Sequence, residues 1–239
     1  MMRTLSIPFA IVIAGALIAA SIYFVNRDRP YGTPATEEAT VLKEIRGVQK
    51  DDHVLGNPDA EVVIVEFSDP ECPFCKQFHA TMHQLIDTYG LDGDVAWVYR
   101  HFPIPQLHPK AQKEAEALEC AAELGGEASF WKYTDRLYEI TPSNNGMDIG
   151  AYNDGSTTSG TNAGQLTEVA TFVGLDAKAF EACLASNRHA ARIQKDSNEV
   201  VAAGGMGTPH SIMIANGEQI PIEGAQPFGV IKGMIDSAL

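Results

Sequence analysis

Cys72, Pro73, Phe74 and Cys75 stand between the apolar run Val62-Val63-Ile64-Val65-Glu66-Phe67 and a helix-forming stretch over residues 76–89. This junction constrains the chain more than any other feature, because it requires a strand that runs almost directly into a helix. A cysteine at a helix N-terminus meets unpaired backbone N–H groups and the positive end of the macrodipole. Both favour the thiolate, the form that attacks disulfides. Depressing a thiol pKa by ~1.5 to 5 units favours the anion by roughly 2–7 kcal/mol. A C-x-x-C pair also occurs in zinc sites, which need two further ligands. The residues therefore point first to a redox-active dithiol.

The surrounding pattern supplies a fold class. Asn57-Pro58-Asp59-Ala60 reads as a turn, followed by the strand from Glu61. A second strand is expected over 94–101, after turn residues 90–93, completing a βαβ unit. Helices are expected over 110–124, ending at Gly125-Gly126, and over 129–138, 166–173, 177–184 and 190–203. Residues 141–164 are dominated by Gly, Ser, Thr and Asn, and read as an insertion loop or an unrecognised element. The β pattern returns at 211–215. Asn216-Gly217 is a two-residue hairpin signal, 219–223 is the return strand, and Pro227-Phe228 open a last helix. The order is βαβ, a helical block, then ββα: an α/β chain without internal repeats.

Residues 7–25 form an apolar run of about 19, long enough to cross a bilayer, with Arg3 before it and Arg27 and Arg29 after. They are expected to be a transmembrane anchor behind a short tail, 1–6. A cleaved signal peptide ending at Ala19-Ala20-Ser21, and hence a soluble secreted domain, is the alternative. Positive charge on both sides leaves orientation open on that rule alone. Residues 26–50 read as a tether with a possible short helix over 37–46, and residues 51–239 as the globular domain. The formal charge of −14 argues against nucleic acid, whose phosphates need a basic surface.

On Cys72-Pro73-Phe74-Cys75 after a strand, Gly207-Thr208-Pro209 before the C-terminal hairpin, and Phe130-Trp131 in the helical block, the chain resembles the DsbA-like thiol:disulfide oxidoreductase family of the thioredoxin superfamily. The resemblance covers roughly residues 51–239. It implies a thioredoxin-like fold with a helical insertion at about 107–204. It also implies an extracytoplasmic enzyme with Cys72 as nucleophile and Cys75 as buried resolving thiol, working through mixed disulfides. Pro73 and Phe74 would tune the thiolate from the active-site helix. Pro209 would be a cis-proline, leaving the Thr208 backbone free to pair with a bound peptide. Glu66 would be a buried acid moving protons for Cys75. From the alternation alone it faces away from Val63, Val65 and Phe67, so it lies either inside or toward solvent.

Cys120 and Cys183 remain. In an oxidising compartment they most simply form a structural disulfide closing a loop of about 63 residues, with two free buried thiols as the alternative. His79 and His83 are four residues apart on the active-site helix, and Cys75 and His79 share that spacing. A Cys72–Cys75–His79 metal carrier is the reading from another class. For the oxidoreductase no metal and no bound cofactor are expected, the redox-active disulfide Cys72–Cys75 carrying the electrons. His210 could face Cys72.

Direction is the finest question. Pro73-Phe74 differs from the Pro-His of the best-known oxidases, and Thr208 resembles the threonine of isomerases and anchored relatives. With too short a segment before the domain for a dimerisation module, an anchored oxidase is favoured over a reductase or isomerase. Its expected partners are cysteine-containing exported proteins and a membrane quinone reductase of the DsbB or VKOR type. Its expected place is the cytoplasmic membrane, with the catalytic domain on the periplasmic or cell-surface side.

Overall fold

The computed structural model describes residues 21, 43–90, 93–141, 146–155 and 162–239. The expected anchor and most of the tether lie outside them. Among the described residues no helix is long and apolar enough to cross a membrane. The folded unit is Leu42–Leu239.

Its strands are β1 (His53–Gly56), β2 (Val62–Ser68), β3 (Val95–His101), β4 (His210–Ala215) and β5 (Glu218–Glu223). They form one sheet in the order β1-β3-β2-β4-β5. β2 and β3 run parallel, and the pairs β1–β3, β2–β4 and β4–β5 are antiparallel. Helix α1 (Pro73–Tyr89) connects β2 to β3. Among the described residues five α-helices lie between β3 and β4: α2 (Ala111–Gly125), α3 (Glu127–Ile140), α4 (Gln165–Phe172), α5 (Ala177–Ala185) and α6 (Ala190–Ala202). Helix α7 (Phe228–Ala238) ends the chain.

All seven residues of β2 are buried, as expected of a central strand covered on both faces. Val62 and Ile64 join the larger core with Trp97, Tyr99, Phe78 and Met82. Val63, Val65 and Phe67 join a smaller core with Ala96, Val98, Val200 and Ile212. Helix α1 buries Cys75, Phe78, His79, Met82 and Leu85, a stripe spaced by three and four residues. Each fully buried side chain of this kind contributes roughly 1.5–3 kcal/mol, and together they fix the angle at which the helix leaves β2.

One expectation needs correction, and two elements are added to those expected. Strand β1 was not anticipated: it has four residues and no long alternation, and it is stabilised by antiparallel pairing with β3. The boundary at residue 51 is too late. Ile45 is buried, its backbone exchanges hydrogen bonds with the Gln219 amide (2.9 and 2.8 Å), and Arg46 pairs with Asp196 at 2.7 Å and with Glu199. Residues 43–46 are not helical. Of the two readings of 141–164, the described part bears out the unrecognised element. Gly150–Tyr152 form a 3-10 turn, Met147, Ile149 and Tyr152 are buried, and Gln165 N–H reaches the Asp148 carbonyl at 2.7 Å.

Candidate active site

The turn from β2 into α1 builds the site. Cys72 is the N-cap of α1 with extended backbone (φ −72°, ψ 122°), and Pro73 occupies the first turn, where a missing N–H costs nothing. The expected helix start at residue 76 was therefore three residues late. Cys75, one turn in, is fully buried, whereas Cys72 keeps 5% exposure beside the solvent-facing Phe74. Both thiols are free. The Cys72 thiol lies 3.4 Å from the Thr208 carbonyl, and Asp69 N–H donates to Cys75 Sγ at 3.4 Å.

The two sulfurs are electrostatically unequal. The Cys75 thiol hydrogen-bonds to Cys72 and, aided by Thr208 and the Cys75 and Phe74 backbone, outweighs burial to bring the Cys72 pKa down to about 6. Burial, then the neighbouring Cys72 charge, holds the Cys75 pKa well above the ordinary thiol range. A readily ionised thiol and a proton-retaining one thus stand one helical turn apart.

The Thr208–Pro209 bond is cis, and its loop leads into β4 opposite the helix start. Met206, Gly207, Thr208, Pro209, His210 and Glu223 line a shallow groove there. Met206 is 95% exposed. His210 is buried beside this loop, and burial lowers its pKa.

Glu66 lies on the face of β2 shared with Ile64, between Tyr99 of β3 and Ser211 of β4 in register. It is fully buried, which settles the open question of its face. Neither carboxyl oxygen has a hydrogen-bond partner of good geometry. Desolvation raises its pKa to about 7, only partly offset by Ser68 and Trp97.

Sequence reasoning passed over Asp69 and His108. The Asp69 carboxylate accepts from Ile104 N–H at 2.8 Å and faces His108 Nδ1 at 2.9 Å, and that contact raises the His108 pKa. The only signal for Asp69 was its place three residues before Cys72. His108 lies between β3 and α2 in no recognisable pattern.

The Cys72–Cys75–His79 metal set is not assembled. His79 Nε2 instead faces Asp135 of α3 at 2.7 Å. Cys120 of α2 and Cys183 of α5 are joined by a disulfide.

A helix-start dithiol after a central parallel strand, faced by a cis-proline loop and backed by a buried acid, defines a thiol–disulfide exchange protein of the thioredoxin superfamily. A family model described as Thioredoxin matches residues 48–237, and the chain belongs to that family as a DsbA-like member. The crystal structure of Pseudomonas aeruginosa DsbA2 superposes with a TM-score of 0.63 at 25% identity, covering 81% of this chain and 97% of that one. Oxidised BdbD from Bacillus subtilis gives 0.63 at 23% identity over 82% and 98%, and Wolbachia pipientis alpha-DsbA1 gives 0.65 at 20% over 80% and 92%. These two show the same fold. Curated relatives include the Na(+)/H(+) antiporter NhaA 3 of Salinispora tropica, 34% identical over 162 residues. The match covers 66% of this chain but 21% of that protein. NhaA 1 of Mycolicibacterium gilvum is 38% identical over 102 residues, 42% of this chain and 16% of that protein. The chain thus spans about a fifth or less of these relatives, and their antiport is a property of the longer proteins.

Proposed function

We propose that the protein is an extracytoplasmic oxidase that introduces disulfides into cysteine-containing exported proteins. The observation that carries this is the asymmetry of the two thiols, with Cys72 at about 6 and Cys75 well above the ordinary range. A substrate thiolate attacks Cys72 Sγ of the oxidised pair, the Cys72–Cys75 bond breaks, and Cys75 leaves and takes up a proton. A second substrate thiolate then attacks the substrate sulfur of the mixed disulfide and expels Cys72 as a thiolate. The substrate has lost two electrons and the protein holds them as a dithiol. The electrons leave through a membrane quinone reductase of the DsbB or VKOR type, and no bound cofactor takes part. Glu66 supplies and removes the Cys75 proton, and the Thr208 backbone at the cis-proline pairs with the substrate peptide.

Stabilising the reduced state makes a dithiol more oxidising. At pH 7, a thiol with a pKa near 6 rather than 9 favours the reduced form by about 1.4 kcal/mol, or ~30 mV for two electrons. That supports an oxidase of moderate strength. The disulfide between Cys120 and Cys183 supports an oxidising compartment. An N-terminal anchor at residues 7–25 would keep the protein beside its quinone-linked partner.

The test is equilibration of the full chain with glutathione buffers. The expected potential lies between about −270 and −120 mV, the thioredoxin and DsbA values. A value more reducing than about −270 mV would instead make it a reductase. In cells, Cys75→Ser should accumulate mixed disulfides through Cys72, and Cys72→Ser should accumulate none. Failure of Cys75→Ser to trap any partner would overturn the exchange mechanism.

A further inference from the structure

Outside the dithiol, three clusters among the described residues bring histidine, cysteine or carboxylate atoms close enough to share one metal ion. In the first, Cys120 and Cys183 have spent their sulfurs on each other. In the second, His53, His101 and Glu119 are buried, and Arg192 Nε already sits 2.6 Å from Glu119 Oε1 as the resident cation. The third has neither feature. His79 and His83, one turn apart on α1, aim Nε2 at the same Asp135 Oδ1 from α3, at 2.7 and 2.8 Å. Their two Nε2 atoms are 3.2 Å apart.

We propose that His79, His83 and Asp135 bind a divalent transition-metal ion of the zinc class, independently of the dithiol. Metal–nitrogen bonds of ~2.0–2.1 Å at tetrahedral angles place ligand atoms about 3.3 Å apart. The histidine pair already has that spacing. Asp135 needs to withdraw by about half an ångström, which its 47% exposed side chain permits. Two imidazoles and one carboxylate leave a fourth position open to water, the donor set of open zinc sites. His83 and Asp135 both reach solvent, so an ion can enter. Asp87 lines the same pocket and makes it more negative, while Glu139 there is paired with Arg136 at 2.6 Å. The lysine of this pocket, Lys76, gives its ammonium to the Thr141 carbonyl at 2.7 Å rather than to Asp135. His79 is held rigid by packing against Trp97 and Tyr138, with ring centroids at 5.0 and 4.8 Å.

The test uses the untagged full chain with Cys72–Cys75 oxidised, so that the active-site sulfurs cannot ligate. Zn²⁺ is titrated against a chromophoric chelator. One equivalent should bind with a dissociation constant below ~100 μM, and His83→Gln and Asp135→Asn should each weaken it at least ~10-fold. No binding up to ~1 mM, or binding unchanged in both variants, would overturn the proposal. Co²⁺ on the oxidised wild-type chain gives a readout that needs no variant. Visible d–d bands shifted to longer wavelength and strongly intensified over those of hydrated Co²⁺, without sulfur-to-cobalt charge transfer, support the site; bands unchanged from the hydrated ion, or charge transfer, refute it.

Discussion

Two residues on neighbouring elements carry opposite proton economies. Cys72 has a pKa near 6 and Glu66 near 7, so each changes charge close to neutral pH. Alkylation of reduced protein at Cys72 should follow a single titration with a midpoint near pH 6, reactive above it and silent below. A midpoint near 9 would show that the helix start does not stabilise the thiolate. Glu66 makes a thermodynamic prediction as well. Its folded pKa lies above the unfolded value of 4.5, so the folded state retains a proton that the unfolded state releases. The associated stability is complete below pH 4.5 and is lost as pH rises to about 7, a total of about 3 kcal/mol. Glu66→Gln resembles the protonated acid. Denaturant unfolding of the variant should match wild type near pH 4.5 and exceed it by about 3 kcal/mol at pH 8. On the proposed role of Glu66 as carrier of the Cys75 proton, the same substitution should slow resolution of the Cys72 mixed disulfide by ~10²-fold. A stability gap independent of pH, with unchanged resolution, would leave Glu66 as mere packing.

At the scale of elements, the helical block between β3 and β4 is tied together by a covalent bond across α2 and α5. Its 63-residue separation corresponds to about 4 kcal/mol in the chain-entropy model. The double variant Cys120→Ala/Cys183→Ala should lose up to that amount in chemical unfolding, while Cys72 alkylation keeps its midpoint. A shifted midpoint would mean that the block shapes the dithiol as well as covering it. Element ends follow local chemistry closely. Asp176 caps α5 by accepting from Ala179 N–H at 2.8 Å, so Asp176→Ala should cost about 1 kcal/mol. Asn216 and Gly217 adopt φ of 53° and 78°, the left-handed values that a two-residue hairpin demands. The hairpin was legible in sequence because a turn needs only its own few residues.

Across the whole molecule, one buried ionic network joins the segment before β1 to β3 and α6. Arg100, with no exposed side chain, grips Asp52 at 2.7 and 3.0 Å, and Arg46 links Asp52, Asp196 and Glu199. Burial alone would raise the Asp52 carboxyl, but Arg100 outweighs it and holds its pKa below the ordinary value. Asp52 therefore contributes stability above pH 3.8 that is lost as pH falls through its lowered pKa. Removing residues 1–50 should cost several kcal/mol relative to removing 1–42, because losing one partner of a buried ion pair costs ~3–5 kcal/mol. Equal unfolding midpoints for the two fragments would contradict this.

Much of this molecule could be read from residue order. The strand into Cys72-Pro73-Phe74-Cys75, the later helices and the Asn216-Gly217 hairpin rest on local periodicity and backbone preference, which act over a few residues. So the class of fold and the paired cysteines of the candidate site were visible before any coordinate. What packing alone settled depends on partners distant in the chain. Strand β1 exists because β3 pairs with it, and the region around Arg46 belongs to the domain because Asp196 and Glu199 neutralise it. Glu66 is buried because helices cover the face it shares with Ile64, and His108 meets Asp69 across 39 residues. Alternation says which side chains share a face but not which face is covered. Charge complementarity acts through space, and no spacing in the chain records it.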